Sequence, residues 1–301
     1  MPKPFERIAV VGLGILGTQI AMLSAYAGYK VTAYDTRPNA FDETYKKLRE
    51  DLKPKTEIPL IPWDDWERCR QAVWIRTNLE ETLRNVDLVV EAVKEDVELK
   101  RQIFKQMGEV APPKAIFATN SSSLPISRIE ESSGRPERCL NIHFYQPLQG
   151  MNMADVMGGT RTLPEVLDKA ADWLRSLGLV PLRVKKEVVG FCFNSVWRAI
   201  KKQSLYLWGS GFVDFRDIDR AWRIFTGMKM GPFGIMDMVG LDTVYDIEMV
   251  YYSESKDPQD KPPEALLEKI RKGELGVKTG KGFYSYPNPE FLQPDFLNPR
   301  K

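Results

Sequence analysis

Two hydrophobic regimes follow one another along the chain. Ile8-Ala9-Val10-Val11 is short, apolar at every position and largely β-branched, as expected of a strand buried on both faces. It runs into Gly12-Leu13-Gly14-Ile15-Leu16-Gly17. A helical spacing follows through Ile20, Leu23, Ser24 and Ala27, with Gly28 placed to close the helix. Lys30–Tyr34 reads as a second strand with Asp35 at its carboxyl end. Residues 41–76 are charged and helical in character, interrupted by Pro54, Pro59 and Pro62, which predicts two helical pieces around an irregular link. Further strands are expected over Val86–Val93, Ala115–Asn120 and Cys139–Phe144, with a helix over Glu98–Val110. Strands alternating with helices predict a mostly parallel sheet covered on both faces. After Lys185-Lys186-Glu187 the pattern changes. Residues 191–208 and 215–225 read as helices with aromatic stripes, and no strong strand recurs. The expected division is an α/β domain over 1–186 and an all-helical domain over 187–301, with no internal repeat.

The length of 301 residues agrees with two domains at about 150 residues each. Lys plus Arg number 43 against 41 Asp plus Glu, a net charge of +2. That near-balance argues against a nucleic-acid or acidic-membrane binder, which needs a concentrated basic face. No apolar run approaches the roughly 18 residues of a transmembrane helix. The chain enters its first strand directly after Arg7, so no signal or transit peptide is expected. Cys69, Cys139 and Cys192 form no CxxC pair, and His143 is the one histidine, so neither a disulfide framework nor a zinc site is expected. A reduced, cytoplasmic protein with no membrane or nucleic-acid partner is the expectation.

The glycine-rich turn has the context that gives such a motif physical content: a strand before it, a helix after it and an acidic residue some 20 positions on. Gly12 permits the tight turn, Gly14 admits a pyrophosphate to the backbone, and Gly17 lets helix pack closely on strand. The helix N-terminus offers free amides and a partial positive charge to phosphates. Asp35 is positioned to accept hydrogen bonds from the adenine-ribose hydroxyls, favouring NAD over NADP, with Arg37 nearby to soften that preference. The first domain is therefore expected to be of Rossmann type.

A single histidine at a strand end is more often structural than catalytic. His143, however, stands at the carboxyl end of a strand in an open α/β sheet, where ligands bind. Ser122 lies just beyond another strand end, and Asp155 follows His143 by 12 residues, close enough in sequence to return a carboxylate to the imidazole. Alcohol dehydrogenation needs a base that titrates near neutrality, and histidine is the natural choice.

The chain resembles the 3-hydroxyacyl-CoA dehydrogenase family over essentially its whole length. The resemblance is carried by Val11–Gly17, Asp87–Val93, Asn120-Ser121-Ser122-Ser123-Leu124, His143-Phe144-Tyr145-Gln146-Pro147, Gly190–Asn194, Gly231-Pro232-Phe233, Val239–Asp242 and Gly276–Tyr284, in that order. It implies an N-terminal NAD domain, a C-terminal helical domain that forms a homodimer, and an acyl-CoA substrate in the cleft between the domains. It implies His143 as general acid or base oriented by Asp155, with Ser122 and Asn194 hydrogen-bonding the substrate. The implied cofactor residues are Gly12, Leu13, Gly14, Ile15, Leu16, Gly17, Asp35, Glu95, Lys100, Asn120, Ser122, Gln146 and Lys278. Glu95 and Lys100 are open to a second reading as an exposed pair at a helix start, and Asn194 to one as a cap or buried polar residue.

Two positions depart from the family: Asp155 stands where Glu is usual, and Gln146 where Asn is usual. Asp is shorter by one methylene, so either the backbone moves closer or the His143–carboxylate contact is lengthened or bridged by water. CoA is expected to meet Lys53 and Lys55, in a basic stretch with Lys46, Lys47 and Arg49; a solvated helical face is the alternative. Trp63, Trp66 and Trp74 suit adenine stacking or the core. The expected activity is NAD-dependent interconversion of a 3-hydroxyacyl-CoA and a 3-oxoacyl-CoA in fatty acid metabolism. The alternatives are a dehydrogenase of a non-CoA 3-hydroxy acid and a catalytically weak NAD-binding homologue.

Overall fold

The computed structural model describes residues 3–53 and 59–298. Eight strands form one sheet: β1 (Arg7–Val11), β2 (Lys30–Tyr34), β3 (Val73–Arg76), β4 (Leu88–Glu91), β5 (Ile116–Thr119), β6 (Cys139–Phe144), β7 (Met153–Gly158) and β8 (Val180–Val184). Their order is β3-β2-β1-β4-β5-β6-β7-β8. The first six run parallel; β7 pairs antiparallel with β6, and β8 parallel with β7. Helices α1 (Ile15–Tyr26), α2 (Ala40–Leu52), α3 (Trp66–Gln71), α4 (Leu79–Leu83), α5 (Val97–Val110) and α6 (Pro164–Ser176) join the strands.

The continuous apolar runs have the meaning expected of them. Ile8 and Val10 enter one core with Leu88, Val90, Ile116, Ala118, Leu140 and Ile142. Ala9 and Val11 enter another with Val89, Phe117, Phe104 and Met107. Side chains alternate in direction along a strand, so each central strand feeds both cores. This is the doubly covered, mostly parallel sheet that the element pattern predicts.

Three strands correct the reading of the sequence. Val73–Arg76 falls in the stretch taken as helical, yet it pairs with β2 at the sheet edge. Its last three residues are exposed, so it carries no two-sided hydrophobic signal. The strands β7 and β8 had no expected counterpart. Asp155 interrupts the apolar run of β7, and Pro181 sits in β8, a position tolerated at a sheet edge.

The chain divides into two units, Met1–Cys192 and Phe193–Lys301. The second contains α7 (Phe193–Gly209), α8 (Phe215–Thr226), α9 (Pro232–Val239), α10 (Leu241–Ser255) and α11 (Glu264–Arg271). Its core is aromatic, built on Phe215, Phe233, Phe283, Tyr284 and Phe291. Buried Asp219 accepts the backbone amides of Phe233 and Gly234, fixing the start of α9, and the Tyr284 hydroxyl. Burial pushes its carboxyl up to about 6 despite these donors. No helix among the described residues is long and apolar enough to cross a membrane.

The turn from β1 into α1 depends on contact closer than any side chain permits. A Cβ on Gly17 would lie 1.9 Å from the Gly12 carbonyl oxygen, a backbone atom with no room to yield. Gly17→Ala should therefore destabilise the first unit by about 2 kcal/mol or more, read from its urea unfolding midpoint; an unchanged midpoint would contradict this account of the turn.

Candidate active site

The dinucleotide turn starts at Gly12, whose φ of +96° favours glycine. A Cβ there would also lie 2.7 Å from the Ala92 carbonyl oxygen. Gly14 differs: its φ is −70°, and an added Cβ would meet nothing within 4 Å. No atom among the described residues requires glycine there, which is what a position kept open for a ligand looks like. The first intrahelical bond runs from Thr18 N to the Gly14 carbonyl at 2.9 Å, so the amides of Ile15, Leu16 and Gly17 precede it and present an anion-binding terminus.

Asp35 organises this turn as well as standing beside it. Its Oδ2 accepts the Leu13 amide at 2.8 Å and its Oδ1 the Arg37 amide at 2.9 Å. Leu13 thus has a buried side chain and a committed N–H, and serves the turn from within. Each Asp35 oxygen retains acceptor capacity for a ribose hydroxyl. The Arg37 guanidinium stands 3.6 Å from the carboxylate.

At the carboxyl ends of β4 and β5 lies a buried charge network. Lys100 Nζ donates to Glu91 Oε1 at 2.8 Å and stands 3.3 Å from Glu95 Oε2. Glu91 also accepts the Val93 amide and the Thr119 hydroxyl, each at 2.7 Å. The Lys100 side chain is 1% exposed, which overturns the reading of an exposed pair for Lys100, while Glu95 at the rim is 38% exposed. Glu95 in turn accepts the Ser121 hydroxyl and both the amide and hydroxyl of Ser123. Burial acts to raise the Glu95 carboxyl, but Ser121, Lys100 and Ser123 together hold it below its ordinary value. Exposed Ser122 is carried on the loop so pinned. Asn120, at the start of that loop, accepts the Phe144 amide at 3.0 Å and ties the ends of β5 and β6 together.

His143 and Asp155 are register partners across the antiparallel β6–β7 pair. Facing residues in such a pair have Cβ atoms about 5 Å apart, so a short carboxylate suffices. His143 Nδ1 and Asp155 Oδ2 are 3.1 Å apart, a direct contact with no water needed between them. The Tyr145 hydroxyl donates to the same Oδ2 at 2.6 Å, and the Cys192 amide donates to Oδ1 at 3.3 Å. Asp155 is completely buried and His143 is 4% exposed. Phe191 lies flat on the imidazole, with centroids 4.8 Å apart and planes 5° from parallel, while Tyr145 meets its edge at 4.6 Å. Gly190 and Phe191 both have positive φ, at +85° and +51°. For a bulky residue that conformation is strained, by about 1–3 kcal/mol, and here it lays the ring over the histidine. With Nδ1 turned to the carboxylate, Nε2 is the nitrogen left to exchange a proton.

The remaining residues singled out in the sequence lie on other elements. Gln146 is exposed in the turn after β6, where the Gln146–Pro147 bond is cis. Lys53 is exposed at the end of α2, and Lys55 lies outside the described residues. Trp66 is fully buried, Trp63 packs against it and Trp74 is exposed on β3. Asn194 is half-buried in the first turn of α7 in the second unit. Lys278, also in that unit, pairs with Asp242 at 2.5 Å and so links two of the motif stretches. Tyr145, Phe191 and Glu91 were not singled out for site roles. Tyr145 and Phe191 lie within quoted motif stretches, but only the folded ring geometry, after β6 for Tyr145 and after β8 for Phe191, reveals that they face the histidine.

Two family models match the chain: the NAD binding domain of 3-hydroxyacyl-CoA dehydrogenase over residues 7–188, and the C-terminal domain of the same enzyme over 190–286. A probable 3-hydroxybutyryl-CoA dehydrogenase of Bacillus subtilis is 31% identical over 281 residues, covering 93% of this chain and 97% of that protein. The mitochondrial hydroxyacyl-coenzyme A dehydrogenase of Sus scrofa is 29% identical over 93% of this chain and 91% of its own. Among solved structures, a diketoreductase described for dual catalysis of dicarbonyl compounds superposes with a TM-score of 0.82 at 35% identity, over 94% of this chain and 99% of its own.

The open space at Gly14 yields a prediction that separates ligand from fold. Gly14→Ala should leave thermal stability within about 1 kcal/mol of the parent and weaken NADH binding about tenfold or more, measured by fluorescence titration. Unchanged NADH affinity would remove the pyrophosphate from this turn.

Proposed function

The chain belongs to the 3-hydroxyacyl-CoA dehydrogenase family, and we propose that it interconverts a 3-hydroxyacyl-CoA and a 3-oxoacyl-CoA with His143 as the acid–base group. The observation that carries this reading is the buried imidazole whose Nδ1 faces Asp155 at 3.1 Å, leaving Nε2 for the substrate. NAD, when bound, supplies the nicotinamide carbon that accepts hydride from the carbon bearing the hydroxyl.

The residues of the turn suit that cofactor. The amides of Ile15, Leu16 and Gly17 take the pyrophosphate beside Gly14, and Asp35 takes the adenine ribose. Glu95, Asn120, Ser122, Gln146 and Lys278 are assigned to its nicotinamide end. Lys100 acts there through Glu95, since its ammonium is enclosed between two carboxylates. In the oxidative direction Nε2 removes the hydroxyl proton, and the imidazolium that forms is stabilised by Asp155. In the reductive direction the same nitrogen returns the proton. Ser122 and Asn194 hydrogen-bond the substrate, and Lys53 with Lys55 meets the CoA phosphates.

We place the enzyme in fatty acid metabolism in the cytoplasm, acting as a homodimer through its second unit. Phe225 in that unit is 93% exposed and Ile224 is 65% exposed, apolar surface that a second copy would cover. Cys69, Cys139 and Cys192 are all free, in keeping with a reducing compartment. The likeness to a diketoreductase favours a second reading, a carbonyl substrate without CoA.

NADH oxidation against acetoacetyl-CoA, longer 3-oxoacyl-CoAs and free oxo acids separates these readings. Turnover with the CoA thioesters is expected, and His143→Gln should lower kcat by about 10²–10⁴ with NADH affinity within about twofold. Turnover confined to free oxo compounds would favour the second reading. Binding of NADH without any turnover would leave a cofactor-binding homologue, and parental kcat in the variant would remove His143 from the chemistry.

A further inference from the structure

We propose that Tyr145 is a positioning residue: through Asp155 it decides which nitrogen of His143 carries the proton. The proposal rests on the reading of His143 as the acid–base group.

Asp155 Oδ2 receives two donors, and the tyrosine is the nearer. Tyr145 Oη lies at 2.6 Å and His143 Nδ1 at 3.1 Å. The other oxygen has the Cys192 amide at 3.3 Å, long for an N–H···O bond. The shortest contact on this carboxylate is thus the phenol, while the imidazole stands toward the far end of the hydrogen-bonding range. An aspartate side chain turns about two bonds, and this one is enclosed with no water-facing surface. A short, charge-assisted bond from Tyr145 selects the orientation in which Oδ2 faces Nδ1. Tyr145 itself is buried, with its ring against the imidazole edge.

The consequence reaches the reacting nitrogen. Which imidazole nitrogen is protonated is set by the hydrogen bond that the other makes. A carboxylate held at Nδ1 keeps the proton there and leaves Nε2 as the acceptor. Once the carboxylate turns away, that bias is lost and Nε2 takes up the proton, so it cannot receive one from an alcohol. Tyr145 therefore governs the readiness of the base through Asp155 and exchanges no proton with the substrate itself. A glutamate at position 155 turns about one more bond and so can set an oxygen at Nδ1 without being oriented by the phenol.

The chain has a single histidine, so ¹⁵N-histidine labelling gives one Nδ1 and one Nε2 resonance, told apart by their couplings to Hδ2 and Hε1. The full-length parent, Tyr145→Phe and the double variant Tyr145→Phe/Asp155→Glu would be compared at about pH 9, above the ordinary imidazole pKa of about 6.5. The parent should be predominantly the Nδ1–H tautomer. Tyr145→Phe should move to mainly Nε2–H and lose about tenfold or more in kcat for oxidation of 3-hydroxybutyryl-CoA by NAD⁺, with KM for NAD⁺ within about twofold. The double variant should return to Nδ1–H. A parental tautomer in Tyr145→Phe would overturn the role of Tyr145 whatever its turnover, as would a double variant that stays Nε2–H. A shifted tautomer with parental kcat would leave Tyr145's hold on the imidazole standing and instead remove His143 as the base.

Discussion

The reversal of strand direction between β6 and β7 is the constraint on which the site depends. Five parallel strand pairings lead up to β6. An antiparallel neighbour then places His143 directly opposite Asp155. Neither residue has to reach far, because the ladder sets their separation and places both side chains on one face. This explains how an aspartate makes the direct contact that its length alone argues against. Burial completes the arrangement: a carboxylate with no exposure keeps its partners only if they are held in place, and Asp155 has three.

A second constraint acts two and three strands away from β7. Lys100 is enclosed between Glu91 and Glu95, and Glu95 pins Ser121 and Ser123. The loop carrying Ser122 is thereby tied to the strand that precedes α5. Removing one member of such a buried network leaves another charge unpaired, at a cost of about 3–5 kcal/mol. The network links the shape of the loop to the stability of the sheet and extends the site from one imidazole to the ends of three strands.

Much of this was legible in the chain because its signals are local. The strand runs around Ile8, Leu88, Ile116 and Leu140, the turn from Gly12 to Gly17 and the first helix all read directly from apolar spacing and glycine placement. The edge strand Val73–Arg76 did not, since three of its four residues are exposed and it sits in a charged region. The β7 strand was hidden by the very residue that matters in it, a buried aspartate where an apolar residue would signal a strand. His143 and Asp155 were identifiable by type and separation. Tyr145 and Phe191 were not, because an aromatic residue looks the same in sequence whether it fills a core or faces an imidazole. Burial of Lys100 was equally opaque: a lysine at a helix start reads as solvent-facing until Glu91 is seen beneath it.

The proposed chemistry requires one nitrogen, His143 Nε2, to meet the oxygen whose proton it exchanges. A crystal structure of the chain with NAD⁺ and acetoacetyl-CoA measures that contact directly. The imidazole Nε2 should lie within about 2.6–3.2 Å of the 3-keto oxygen, with the nicotinamide C4 about 3–3.5 Å from the carbonyl carbon. An imidazole separated from that oxygen by more than one water, with both ligands fully bound, would contradict the account.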